Sequence, residues 1–294
     1  MKKSIFDKNL PIILFSLYLV LSSYSVYMVL FPISSYVQIA TIGISFVIFL
    51  FYYMRHPINV RVLTQPVIIV SILLLTTLVN GSDLKGVFLL GIRLVLIYYV
   101  VSVFILKGYD LMYSLYKAIF LLAVIFLIFH LVFDYLLPQA GLSYFYSYST
   151  NIEGITKQHI YAGHFNIYFR WETTTEIFGF KILRCSGFCW ESGQYQIYLN
   201  YVLMYLLFFD EGREKHKIIR VIIIIAAIIT TASTMGYIIA LLLLSGAVLN
   251  LRSKIKFLIL VIMAVFVAML IYRLIIEKQE VATISYTART SEFD

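Results

Sequence analysis

Residues 217–252 read KIIRVIIIIAAIITTASTMGYIIALLLLSGAVLNLR. The stretch is almost continuously apolar, yet it carries cations at both ends, Lys217 and Arg220 at one and Arg252 at the other. Lys and Arg in short loops mark the cytoplasmic side of a membrane helix. Two cytoplasmic ends require two crossings, so the run must turn around in its middle. The polar patch Thr230-Thr231-Ala232-Ser233-Thr234-Met235-Gly236-Tyr237 is where it can do so. Each arm then has about 14–16 residues, or about 21–24 Å of helix, against a hydrocarbon core of about 30 Å. The turn is therefore expected to dip below the outer surface, where backbone survives only beside protein or water. Its hydroxyls and amides can hold an oxyanion; the alternative is a Ser/Thr helix interface.

The same composition continues outward from this hairpin. Of 294 residues, 62% are hydrophobic and 13% charged. A soluble domain is about half apolar and about a quarter charged, so a water-soluble globular enzyme and a disordered chain are both excluded. Candidate spans lie at 11–31, 34–53, 63–80, 86–106, 115–137, 193–209, 217–231, 234–250 and 256–276. The expected fold is an all-α, polytopic integral membrane protein of about nine transmembrane helices, forming one domain over 1–294. Lys2, Lys3 and Lys8 precede the first run, which is longer than a signal-peptide core and is followed by no A-x-A site. It reads as a retained helix rather than a cleaved signal.

Orientation follows from the loop cations. Lys2, Lys3, Lys8, Arg55, Arg61, Lys107, Arg213, Lys215, Lys217, Arg220, Arg252, Lys254 and Lys256 fall on one side, and little beyond Lys85 falls in the opposite short loops. The first side is assigned to the cytoplasm, with the N-terminus. The net charge of +8 is thus a matter of topology, and nucleic acid is not implied. One long loop, 138–192, is then extracytoplasmic, as is the tail beyond Arg273. Within the loop, alternation from Phe165 to Glu172 and the run Ile177–Leu183 suggest a small hairpin turning at Thr173-Thr174-Thr175. Two cysteines with no CxxC spacing exclude a metal knuckle or a disulfide framework. Cys185 and Cys189 are read as two thiols, with a strained bridge as the alternative.

Several polar groups gather at the expected outer face. Arg184 and Glu191 stand just before a helix start, as a surface ion pair or as working groups. Arg93 sits about 10 Å inside its span. It either snorkels to headgroups or lines an anion-holding cavity. His130 and Asp134 are four apart and share a helix face, satisfying each other or facing the cavity. With Arg170, His164, Thr231 and Ser233 they outline a cationic hollow suited to an anionic lipid headgroup such as a diphosphate, whose oxygens an arginine fork binds bidentately. Tyr168, Trp171, Trp190 and Tyr195 either stack on sugars or anchor the interface.

Three pieces of this pattern resemble the O-antigen polymerase and O-antigen ligase superfamily of bacterial envelope glycan assembly. Arg184 to Gly193 is similar to its Arg, Gly, Glu-Pro-Gly sequence entering a helix, with Ser192 where Pro is usual. Thr231-Ala232-Ser233-Thr234-Met235-Gly236 is similar to its Thr-x-Ser-x-x-Gly turn between two short helices. Arg289 in Thr287-Ala288-Arg289-Thr290 is similar to the arginine opening a second outer loop. The family continues with further helices there, whereas this sequence stops at Asp294. The expectation is a truncated or frameshifted member or one half of a split gene, whose site is incomplete.

The resemblance implies metal-independent glycosyl transfer at the outer face of the bacterial cytoplasmic membrane, without a cofactor. The donor it implies is an undecaprenyl-diphosphate-linked oligosaccharide. A polymerase extends O-antigen, capsule or exopolysaccharide, and a ligase transfers glycan to lipid A core. A flippase and a chain-length regulator of the same pathway are the implied protein partners, and membrane lipids surround the chain. Arg184, Arg289 and Arg93 are expected to stabilise the leaving diphosphate. Glu191, then His164, then His130 are the candidate bases. Readings of another class are a flippase of lipid-linked sugars and a non-catalytic assembly subunit. A flippase predicts internal repeats and polar groups at the bilayer midplane; there is no repeat, and the polar groups lie outward.

Overall fold

The computed structural model describes residues 5–22, 34–56, 60–80, 84–139, 146–150, 159–164, 168–171, 174–177, 180–189, 191–210 and 212–249, with four single positions beyond, Val265, Ala268, Met269 and Tyr272. The chain forms two compact units, Met1–Ala118 and Ile119–Asp294.

In the first unit, long runs of Leu, Ile, Val and Phe give α1 (Ile5–Leu21), α2 (Ser34–Arg55), α3 (Thr64–Asn80, entered by a 3-10 turn at Val60–Leu63), α4 (Leu84–Leu106) and the start of α5 (Leu111–Phe129). Helix α4 packs against both α2 and α3. Its Val100 and Phe104 meet Ile12 and Phe15 of α1, with Ile48, Phe49 and Tyr52 of α2 closing the core. Tyr99 is buried edge-on to Phe49, 4.8 Å between centroids, and its hydroxyl donates to the His56 carbonyl at 2.9 Å. That bond satisfies a carbonyl just past the end of α2, a group that apolar surroundings would otherwise leave costly.

The outer faces are apolar. Val67, Ile68, Ile69, Ile72, Leu75, Leu78 and Val79 of α3 are all exposed, a contiguous strip that water does not tolerate and lipid does. Among the described residues, three helices are long and apolar enough to cross a membrane: Arg61–Val79, Gly86–Leu106 and Leu111–Gln139. The chain is accordingly a mainly helical, membrane-embedded protein. The nine-span expectation is finer than this. The apolar helices Leu10–Leu21, Ile39–Arg55 and Thr234–Leu249 are shorter, and the spans at 11–31 and 256–276 run outside the described residues.

In the second unit, α5 changes to a π-helical turn at His130–Leu136 and ends at Leu137–Gln139. Among the described residues the loop then carries five strands. β1 (Tyr146–Thr150), β2 (His159–His164) and β3 (Tyr168–Trp171) form one antiparallel sheet. β4 (Thr174–Ile177) and β5 (Phe180–Leu183) form a separate hairpin. This corrects the expected hairpin in two ways. The partner of β3 is β2, not the run after it. Thr174 and Thr175 lie in a strand, paired with Leu183 and Ile182, because β-branched Thr favours extended backbone as much as its hydroxyl favours turns. Helix α6 (Ser192–Met204), prolonged by a π turn at Tyr205–Phe209, packs against α7 (Lys217–Thr230) and α8 (Thr234–Leu249), which pack on each other. The helix break falls at Thr231–Ser233, within the polar patch.

Candidate functional site

The segment from Leu183 to Cys189 is stitched across the second unit by backbone bonds. The Leu183 N–H donates to the Tyr135 hydroxyl in the π turn at 3.4 Å. The Cys185 N–H donates to the Thr230 carbonyl at the end of α7 at 2.9 Å. Phe188 is buried against Phe126, Tyr195 and Tyr198. Gly187 makes the bend at φ +58°, a conformation that disfavours side chains, and a Cβ there would lie 2.5 Å from the Tyr195 ring. Gly187→Ala is therefore expected to destabilise the protein by roughly 3 kcal/mol, from backbone strain and overpacking together. A thermal midpoint in detergent within a degree of wild type would contradict this.

The stitching holds Arg184 against the α7–α8 turn. Its Nη2 donates to Ser192 Oγ at 2.7 Å, and its Nε to the Thr231 carbonyl at 3.5 Å. Two motifs distant in sequence thus meet at one guanidinium. Ser192 is the first residue of α6, with Glu191 as the cap residue (φ −126°, ψ 142°). Pro is favoured at the first helical position because no N–H partner is needed there, and Ser fits the same position while offering an acceptor to Arg184. The turn itself is strained: Ala232 adopts φ 45°, a left-handed conformation costing about 1–2 kcal/mol for a residue with a Cβ. Such strain persists where surrounding contacts fix it, commonly at functional sites.

Glu191 lies half-buried and accepts the Tyr195 N–H at its carbonyl, 3.1 Å. Its carboxylate makes no capping bond, and among the described residues it forms no ion pair with Arg184. The Thr231 hydroxyl donates back to the Ile228 carbonyl at 2.7 Å, so Thr231 contributes its carbonyl to the site rather than its hydroxyl. Ser233 faces the start of α6, its Oγ 4.0 Å from where a Cβ on Gly193 would be. Tyr195 is buried, ring against Phe188, and so offers no open face for stacking.

A second polar centre sits on the π turn. The His130 Nδ1–H donates to Asp134 Oδ2 at 2.7 Å, and the Tyr168 hydroxyl donates to the same oxygen at 2.7 Å. All three side chains are buried. Nδ1 is thereby committed to the carboxylate, and His130 Nε2 has no partner. His130 and Asp134 both lie on the π-helical turn, and such turns recur at functional sites. Burial holds the Tyr168 phenol well above its usual range, with Cys185 and Asp134 adding to the rise, so it remains a donor. Burial also pushes the Cys185 thiol up to about 12, and Cys189 is raised by the same cause. Both cysteines are unbridged, and as protonated thiols they are poor nucleophiles.

Arg93 belongs to the first unit. Its Nη1 donates to the Ser22 carbonyl at 2.9 Å and its Nη2 to the Ser22 hydroxyl. The guanidinium caps the C-terminal end of α1, where a cation offsets the helix dipole. His164 and Arg170 are placed as backbone in β2 and β3, their side chains outside the described residues, as is the side chain of Trp171. Trp190 and Arg289 lie wholly outside them. Four groups were not singled out in the sequence: Tyr168 as a hydrogen-bond donor, Ser192 as the Arg184 anchor, and the buried carboxamides Gln196 and Asn200. The spacing 192, 196, 200 on a helix is the signal that marks the last three as one face. Comparison of the chain with protein-family models, curated proteins and solved structures finds no match.

Proposed function

We propose that the chain is a polysaccharide polymerase acting at the outer face of the bacterial cytoplasmic membrane, extending glycan from undecaprenyl-diphosphate-linked repeat units. The observation that carries the reading is the meeting of the Arg184–Gly193 segment and the Thr231–Gly236 turn at one anchored guanidinium. Glu191 is the carboxylate that precedes Ser192, and the turn that Arg184 touches is strained at Ala232. In this reading the acceptor sugar hydroxyl attacks the donor anomeric carbon. The bond to the lipid diphosphate breaks, and the diphosphate leaves with the electron pair. Arg184 offsets the charge developing on it; a fixed donor in a site closed to water contributes more than one in solution. Glu191 takes the proton from the attacking hydroxyl. The loop and the Thr231–Gly236 turn face the exterior, and the N-terminus faces the cytoplasm.

The test is the full chain, reconstituted in vesicles with lipid-linked repeat units and scored for polymer. Wild type is expected to give a ladder of products, and none would overturn the reading. Glu191→Gln is expected to bind the lipid donor within about twofold of wild type while slowing transfer about 10²–10⁴-fold. Normal single-turnover transfer by Glu191→Gln would remove Glu191 as the base.

A further inference from the structure

Four buried polar atoms without hydrogen-bond partners lie within six residues of α6: the Tyr195 hydroxyl, both terminal atoms of Gln196, and Asn200 Oδ1. Gln196 is 1% exposed and Asn200 4%, so bulk water does not satisfy them. Their placement is tied to the α7–α8 turn. The Gln196 carboxamide lies across Gly236, in the space that any Cβ at 236 would occupy. Asn200 Nδ2 donates to the Gly236 carbonyl at 3.2 Å. Gly236 therefore serves as a slot that admits the Gln196 carboxamide. Gln196 stands one helical turn, about 6 Å, beyond Ser192, which holds Arg184.

The chemistry of the vacant atoms restricts what they can bind. A carboxamide presents a donor and an acceptor side by side. An anion uses only the donor and a metal cation only the acceptor. A hydroxyl group uses both. Resting on the glycosyl-transfer reading, we propose that Gln196 and Asn200 form a recognition slot for ring hydroxyls of the sugar attached to the lipid diphosphate. A turn of helix is comparable to the reach from a diphosphate to the far hydroxyls of the first sugar ring. The start of α8, at Gly236, covers the carboxamides. The sugar reaches them when the turn lifts at Ala232 and Gly236, and its hydroxyls then supply the missing partners. In the covered state the slot costs stability, because buried donors and acceptors are left unmet.

That cost gives a test independent of the sugar's identity. In the full chain, Gln196→Met keeps length and volume but removes both polar atoms, and Gln196→Leu is a second apolar replacement. The thermal midpoint of ligand-free protein in detergent is expected to rise by a few degrees in at least one of them. A fall in both, or failure of both to fold, would mean that the carboxamide is a structural group and would overturn the proposal. Binding is then compared for two probes, undecaprenyl diphosphate and the same lipid carrying one N-acetylglucosamine. Gln196→Met is expected to bind the bare lipid within about twofold of wild type and the sugar-bearing lipid at least about tenfold more weakly, as sites built for hydroxyls discriminate. Equal losses for both probes, or no loss for either, would overturn the slot. If wild type binds neither lipid, the diphosphate reading fails and takes the sugar assignment with it, while the midpoint still reports whether the carboxamide is structural.

Discussion

Arg184→Ala is expected to abolish polymer while the protein remains inserted and folded. A single fixed donor facing a developing oxyanion typically accounts for about 10²–10³ in rate, or about 3–4 kcal/mol. Arg184 adds a positioning effect, since its Nη2 and Nε tie Ser192 to the Thr231 carbonyl. Alanine removes both at once, so a conservative variant has to separate them. Arg184→Lys keeps the charge but loses the planar fork, and one ammonium cannot reproduce two divergent bonds. The expected order of polymer yield is wild type, then Lys at roughly 10–100-fold less, then Ala below detection. Thermal midpoints distinguish chemistry from support. A group that only staples the loop lowers the midpoint and leaves the folded fraction active. A group that grips the leaving diphosphate lowers activity far below the midpoint. Unchanged polymer length and yield in Arg184→Ala would remove Arg184 from the mechanism.

The α7–α8 hairpin was legible because two independent signals agree on it. Cations at Lys217 and Arg252 bracket the run in the sequence, and a run of hydroxyl residues interrupts the apolar sequence between them. Helices at Lys217–Thr230 and Thr234–Leu249 follow that division. Arg93 shows the opposite case. Its depth in an apolar helix was readable, but its partner, Ser22, lies 71 residues earlier, and no spacing rule links the two. Tyr168 is similar: four-residue spacing relates His130 to Asp134, whereas the third member comes from a strand 34 residues beyond Asp134. Strand pairing was misread because His159–His164 lacks alternation of apolar and polar residues, leaving β3 without a visible partner. The π turn leaves no trace in composition, since a helix of either pitch is equally apolar. Gln196 and Asn200 were readable as polar residues at helical spacing, yet only the packing of Gly236 shows that they face inward.

The largest loss of stability is expected from Asp134→Ala. One oxygen, Oδ2, accepts from both His130 Nδ1 and the Tyr168 hydroxyl, at 2.7 Å each. Removing it takes the shared acceptor from two buried donors, leaving them only weaker partners such as their 3.0 Å contact with each other. Breaking a buried polar pair from one side costs about 3–5 kcal/mol, a large share of the roughly 5–15 kcal/mol that keeps a protein folded. Tyr168→Phe is milder. The ring keeps its stacking on Phe133, 5.9 Å between centroids, while the hydroxyl's bond to the carboxylate is lost, at about 1.5–3 kcal/mol. The two changes should not add. With Asp134 already absent, the bond to the carboxylate that Tyr168→Phe removes is already gone, so the second change is expected to cost much less than it does alone. Thermal midpoints of the two single variants and the double variant measure this directly. If the double variant loses the sum of the single effects, then Asp134 and Tyr168 act separately. A Tyr168→Phe effect that shrinks in the Asp134→Ala background identifies the carboxylate as the hub through which β3 is fastened to the π turn of α5.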